Sequence, residues 1–145
     1  MEMSEQQICK TLKCTPIFTW KKSILIIDDS EDNLMLNKTI LEMENYEVFT
    51  ALSGSDALFE LTKISLPDLI LLDMHMEDMS GTEFLILLEE KQPEFFANVP
   101  VVFLSAIDRP PVSKAAGFIR RPIDLDQFLA EVHQFIVSGT NLRYN

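Results

Sequence analysis

Cysteine is scarce: among 145 residues only Cys9 and Cys14 carry thiols. Two are too few for a disulfide scaffold. As a C-x4-C pair they also lack the two further ligands a tetrahedral zinc requires, since His75 and His133 lie far off along the chain. Cations are short as well. Twelve Lys and Arg stand against 23 Asp and Glu, a formal net charge of −11. A chain without a cation excess offers no footprint to a phosphate backbone, so direct nucleic-acid binding is not expected. No apolar run approaches the ~18–20 residues that span a bilayer, so no membrane span is expected. Met1-Glu2-Met3-Ser4-Glu5 lacks the basic start of a secretory signal. No repeat period and no low-complexity tract is visible. What is present, 47% apolar and 24% charged residues, is the composition of a packed domain. The expectation is one soluble, cytoplasmic domain.

Residues 1–22 show no sustained apolar period and read as a mobile N-terminal extension carrying both thiols. From Ser23 the pattern changes. Ile24-Leu25-Ile26-Ile27 is aliphatic throughout, β-branched in part, and ended by Asp28-Asp29. Such a block reads as a strand buried on both faces. A helical pattern follows with Leu36, Ile40 and Met43 at i, i+4, i+7, closed by Asn45, a residue that tolerates the left-handed conformation. Glu47–Thr50 is a second short strand, and Gly54-Ser55 opens a second helix with Ala57, Leu58 and Leu61 inward. Leu69–Leu72 repeats the aliphatic block and again ends in an acid, Asp73. After a Met-rich loop, Gly81 starts a third helix through Phe84, Leu85 and Leu88, which Pro93 stops. Met74, Met76 and Met79 in that loop read as packing between loop and core. Val101–Leu104 is a fourth strand ending at Ser105, and Gly117–Ile119 a fifth ending at Arg120-Arg121. A last helix runs from about Asp124 to Val137. Aliphatic strands alternating with helices imply a doubly wound α/β fold with a parallel sheet covered on both faces.

In such sheets, ligands bind beyond the carboxyl ends of the strands. The residues there are Asp28, Asp29, Asp73, Ser105 and Arg121. Taken singly, each has an ordinary role: a strand-end Asp caps a helix or shapes a turn, and Asp29 or Ser30 could do only that for the first helix. Taken together they form a pattern. Three gathered carboxylates repel and at least one pKa should rise. A hard divalent cation such as Mg2+ compensates them, usually sitting with one or two carboxylates and a phosphate oxygen. A hydroxyl and a cation suit the remaining oxygens of a phosphoryl group, and Asp can itself be the nucleophile.

Ile24–Asn33, Pro67–Asp73 and Val99–Ala106, together with Ala51, Gly54, Ala57-Leu58, Met76, Met79, Gly81 and Ala116-Gly117, make residues 23–138 resemble receiver domains of two-component response regulators, of the single-domain type. That resemblance implies a flavodoxin-like five-stranded sheet in the order 2-1-3-4-5. It implies a phosphoacceptor switch in which Asp73 receives a phosphoryl group from a histidine kinase or phosphotransfer protein. Asp28, Asp29, Asp73 and the backbone carbonyl of His75 would hold Mg2+. Ser105 would hydrogen-bond the phosphoryl group, Arg121 would take the place of the family's Lys before Pro, and Ser105 with Phe118 would form the switch.

The same resemblance makes the chain no enzyme beyond self-catalysed phosphoryl transfer and autodephosphorylation. Residues 139–145 are expected to be a C-terminal tail with no output domain after it, so the signal would pass by contact with a downstream protein target or a second copy in a homodimer. The chain departs from the family at Glu77, where Pro is usual. Only 16 positions separate Ser105 from Arg121, with Pro110-Pro111 between, so the intervening helix should be shortened or missing. These departures leave open an interaction or dimerisation module that is not phosphorylated. A phosphatase with an Asp nucleophile would want a second Asp two residues on, where His75 stands.

Overall fold

The computed structural model describes residues 21–106, 114–121 and 124–144, the last six by backbone alone. Five strands form one parallel sheet: β1 (Ser23–Ile27), β2 (Glu47–Ala51), β3 (Leu69–Asp73), β4 (Val101–Ser105) and β5 (Gly117–Arg120), in the order β2-β1-β3-β4-β5. Five helices accompany it among the described residues: α1 (Glu31–Met43), α2 (Gly54–Glu60), α3 (Gly81–Lys91), α4 (Pro93–Asn98) and α5 (Leu125–Tyr144). This is the flavodoxin-like topology expected. The anticipated shortening of a helix between β4 and β5 falls on residues 107–113, outside the described residues, as does the stretch with Cys9 and Cys14.

The aliphatic strands build two cores, one on each face. Leu25, Ile27, Ile70, Leu72 and Phe103 meet α2 and α3 through Ala57, Leu61, Phe84, Leu85 and Leu88. Ile24, Ile26, Leu69, Leu71, Leu104 and Ile119 meet α1 and α5 through Leu34, Leu41, Phe128, Val132 and Ile136. Every side chain from Ile24 to Ile27 is fully buried, worth roughly 1.5–3 kcal/mol each. Met74 and Met76 are buried and Met79 packs against the first core, as the loop reading expected.

The helix α1 presents a different face from the one its strongest apolar spacing suggested. Leu34 and Leu41 are buried and Ile40 packs partly buried against their core, while Leu36 is 59% and Met43 78% exposed. At 100° per residue, Leu34 and Leu41 share one stripe, and Leu36, Ile40 and Met43 lie on nearly the opposite one. Both have helical period, so the sequence alone cannot rank them. The short link from Asp28 and the cap at Ser30, whose side chain accepts from the Asn33 N–H at 3.3 Å, set which stripe meets the sheet. Asn45 does take the left-handed conformation, φ 69°, and Tyr46 N–H closes on Leu41 O at 3.2 Å in the manner of a Schellman stop.

Pro93 ends α3 and also begins α4, because Pro is preorganised for the first helical position and needs no N–H there. In α5, Leu125 is 51% exposed and lies off the core stripe. That helix continues to Tyr144, well past Val137, so the backbone of the segment read as a tail extends the helix. Propagation costs little once a helix is nucleated, and Gly139 charges only about 1 kcal/mol against it.

Candidate functional site

Parallel register places the functional ends side by side. Ile27 pairs with Ala51 and Leu72, Asp73 with Leu104, and Ser105 with Arg120. Each strand therefore finishes at the same sheet edge, and the first polar residues after the aliphatic runs are delivered there. Asp28 N–H donates to Ala51 O at 3.1 Å, which carries the β1 path one residue past its strand. Asp28 is 1% exposed, an unusual burial for a carboxylate. Its Oδ1 accepts from Ser30 N–H at 2.9 Å and its Oδ2 from Arg121 Nη2 at 3.1 Å.

Asp28, Asp29 and Asp73 each offer an oxygen within 4.8 Å of the others. Hard oxygen donors at that spacing fit a divalent cation such as Mg2+. Asp73 responds to the crowding. Burial, then the Asp28 charge, push its pKa up from 3.8 to about 6, with Asp29 adding to the rise. The His75 N–H, which donates to Asp73 Oδ1 at 3.3 Å, and the Arg121 charge pull the other way. The rise anticipated from clustering therefore falls on Asp73, the carboxylate at the end of the central strand β3.

The remaining expected residues are distributed as follows. Ser105 is buried at the end of β4, and its carbonyl accepts from Arg121 N–H at 2.7 Å. That bond and the pair with Asp28 turn Arg121 into the site, while its neighbour Arg120 is exposed on β5. His75 is exposed and offers its backbone next to Asp73. Phe118 stands on β5 opposite Phe103, 38% exposed. Asp29 is not the cap of α1; Ser30 is, which leaves the Asp29 carboxylate to the cluster.

Two features were not legible from the residues. The Asp78 carboxylate accepts from Gly54 N–H at 3.1 Å and from Ser55 N–H and Oγ, both at 3.0 Å, tying the loop after β3 to the start of α2. Burial raises its pKa, but these bonds outweigh that and hold it below the usual value. Glu77 N–H donates to Asp29 Oδ2 at 3.1 Å. These four bonds join residues 23 to 48 positions apart, and no local pattern announces such pairs. The capping box Ser80/Glu83 at α3, in contrast, is written in the sequence as Ser-x-x-Glu. Beside Asp29 a crevice of about 390 Å3 opens between Glu31, Leu52, Ser53, Glu77 and Asp78. On the other side of the sheet a groove of about 490 Å3 runs between α1 and α5, lined by Leu36, Ile40, Leu125 and Phe128, with Arg121 in its wall.

Residues 24–133 match the response regulator receiver domain family. The chain is 36% identical over 115 residues to the response regulator PleD of Caulobacter vibrioides, covering 75% of this chain and 25% of that protein. It thus spans a quarter of the length of that relative. It is 29% identical over 121 residues to the polar-differentiation response regulator DivK of Brucella ovis, covering 79% of this chain and 96% of the relative. Among solved structures, the chemotaxis response regulator CheY4 of Vibrio cholerae superposes with a TM-score of 0.72 at 24% identity, over 80% of this chain and 99% of that one. The response regulator TrrA of Thermotoga maritima, solved in complex with Mg2+-BeF, superposes with a TM-score of 0.68 at 27% identity, over 79% and 98%. With its sheet order, its acidic strand ends and this match, the chain belongs to the response regulator receiver domain family, whose members are switches of two-component signalling.

Proposed function

We propose that residues 23–138 act as a phosphoacceptor switch in a two-component phosphorelay, flanked by residues 1–22 and 139–145. Asp73 accepts a phosphoryl group from a histidine kinase or phosphotransfer protein. The observation that carries this is the convergence of Asp28, Asp29 and Asp73 beside an Arg121 guanidinium, with Asp73 the carboxylate whose pKa is raised. A nucleophile with a pKa of about 6 is largely ionised at neutral pH, yet more basic than an ordinary Asp. An Asp73 oxygen attacks phosphorus while the bond to the donor nitrogen breaks, and an acyl phosphate results.

Asp28, Asp29 and Asp73, with the His75 carbonyl, would hold Mg2+, which supplies positive charge to the phosphoryl oxygens. TrrA, a structural neighbour, is described with Mg2+-BeF. Ser105 donates its hydroxyl to the phosphoryl group and Arg121 supplies a second positive partner. Arg121 engages Asp28 through one Nη2 N–H, and on phosphorylation it would exchange that bond for one to the phosphoryl group. This exchange, read out through Ser105 and through Phe118 on the neighbouring strand, is the switch. The exposed α1 side chains and the adjoining groove lie next to Arg121 and offer partner proteins an apolar seat. No helix among the described residues is long and apolar enough to cross a membrane, and the proposed setting is the cytoplasm.

The test is intact-mass measurement after incubation with Mg2+ and acetyl phosphate. A single phosphoryl adduct on wild type, absent from Asp73→Asn and from wild type in chelator, is the expected result. Wild type without an adduct, while it binds Mg2+ and is folded, overturns the phosphoacceptor assignment.

A further inference from the structure

We infer that Asp78 is a positioning residue for the loop that follows the phosphoacceptor strand: its carboxylate fastens that loop to the start of α2, and so helps hold the His75 carbonyl beside the acidic cluster. The inference rests on the reading of Asp28, Asp29, Asp73 and the His75 carbonyl as a Mg2+ site. It concerns what keeps the loop in place before the ion arrives.

The loop from Met74 to Ser80 contains no proline, so no ring fixes a φ angle within it. Its order has to come from contacts. At its base, Met74 O accepts from Gly81 N–H at 2.9 Å and His75 bridges to Ser80. Those bonds close the loop on itself. Its outer end reaches the helical layer through Asp78, 24 positions from Gly54 and 23 from Ser55. Oδ1 accepts from Gly54 N–H at 3.1 Å, and Oδ2 accepts from Ser55 N–H and Oγ, both at 3.0 Å.

These are bonds that α2 needs from outside itself. The first N–H groups of a helix have no partner within it. Ser53 Oγ accepts from Asp56 N–H at 3.0 Å, and Asp78 serves the two N–H groups before that one. An ionised acceptor at a helix start is favoured by the helix polarity, and charge-assisted bonds are among the stronger ones. Met79 packs against Gly54 so closely that a Cβ there would collide with its sulfur. Residues 78 and 79 therefore both seat on α2, which is anchored in the core by Ala57 and Leu61. Without the Asp78 carboxylate the outer span regains backbone freedom, and Mg2+ binding then has to order it. The helix itself keeps its Ser53 cap.

Wild type, Asp78→Ala, Asp78→Asn and Ser53→Ala test this. Ser53→Ala is the control: it removes a cap bond from α2 but no bond between α2 and the loop. Mg2+ titration by calorimetry should give Asp78→Ala about tenfold weaker than wild type, the scale for a group that orients a metal ligand. Ser53→Ala should stay within about twofold of wild type, and Asp78→Asn, which keeps one acceptor oxygen, should fall between. With Mg2+ saturating, the rate of adduct formation from acetyl phosphate should be within about twofold for all four, since the bound ion orders the loop. Melting curves in chelator report whether each variant is folded. A further measurement needs no metal: the amides of Gly54 and Ser55 should be protected from hydrogen exchange in wild type and about tenfold faster in Asp78→Ala. Three results overturn the inference while leaving the metal site intact: folded Asp78→Ala binding Mg2+ as tightly as wild type, Ser53→Ala weakening Mg2+ as much as Asp78→Ala, or amides 54 and 55 exchanging equally with and without the Asp78 carboxylate. Wild type that binds no Mg2+ overturns the site reading itself, and the positioning role with it.

Discussion

Replacing Arg121 with Ala removes the positive charge that pairs with Asp28 and acts on Asp73, together with the side-chain stem in the groove wall, while its backbone N–H to Ser105 O survives. Asp28 is 1% exposed and the Arg121 side chain 30%, so the pair lies between two regimes. Breaking a fully buried pair costs ~3–5 kcal/mol, whereas an exposed pair is worth ~0–1 kcal/mol. After the change, Asp28 keeps Ser30 N–H as a partner but faces Asp29 and Asp73 with no cation beside it. A loss of about 2 kcal/mol in metal-free protein follows, or roughly 4–8 °C in melting temperature for a domain of this size. Mg2+ should substitute for the missing charge. With the site saturated, the loss should shrink to less than about 1 kcal/mol, and by linkage the variant should bind Mg2+ on the order of tenfold more tightly than wild type. Urea denaturation followed by far-UV circular dichroism, in chelator and in saturating Mg2+, measures both. A metal-free loss below about 0.5 kcal/mol, or the same loss with and without Mg2+, refutes the reasoning.

Asp73 binds its proton more tightly in the folded chain than in the unfolded one, since its pKa rises from 3.8 to about 6. Its contribution to stability is therefore fully present below pH 3.8 and is lost as pH climbs to about 6. In chelator, wild-type melting temperature should fall across that window more than that of Asp73→Asn; parallel curves would contradict it. Two glycines separate rigid from yielding neighbours. A Cβ on Gly81 would sit 2.9 Å from the Phe103 ring and 3.3 Å from Asp73 O, both fixed by the core, so Gly81→Ala should cost ~1–3 kcal/mol. At Gly54 the obstacle is the flexible end of Met79, and Gly54→Ala should cost less than about 1 kcal/mol. Thermal melts of the two variants should rank in that order, and the reverse ranking would sink the argument.

Much of the fold was readable because burial on both faces leaves a direct trace. Ile24–Ile27, Leu69–Leu72 and Val101–Leu104 are aliphatic at consecutive positions, which only a strand covered on both faces requires. The acids that end the first two blocks, and Ser105 at the end of the fourth strand, marked the site edge for the same reason: parallel strands all finish on one side. Where two patterns had equal local merit, the residues were silent. The stripes Leu34/Leu41 and Leu36/Ile40/Met43 obey the same helical period, and Pro93 both stops one helix and starts another.

Local chemistry, read in order, determined which strand residues would be buried, where the chain would turn and which charged groups would reach the carboxyl edge of the sheet. Tertiary structure alone decided which stripe of α1 meets the sheet, which of two adjacent arginines turns inward to Asp28, which acid bears the raised pKa, and how the 77–79 loop grips Asp29 and α2. The physical reason is range. Periodicity and capping act over a few residues, whereas repulsion, desolvation and these hydrogen bonds depend on distances between atoms that are tens of positions apart along the chain and become neighbours only when the sheet has formed.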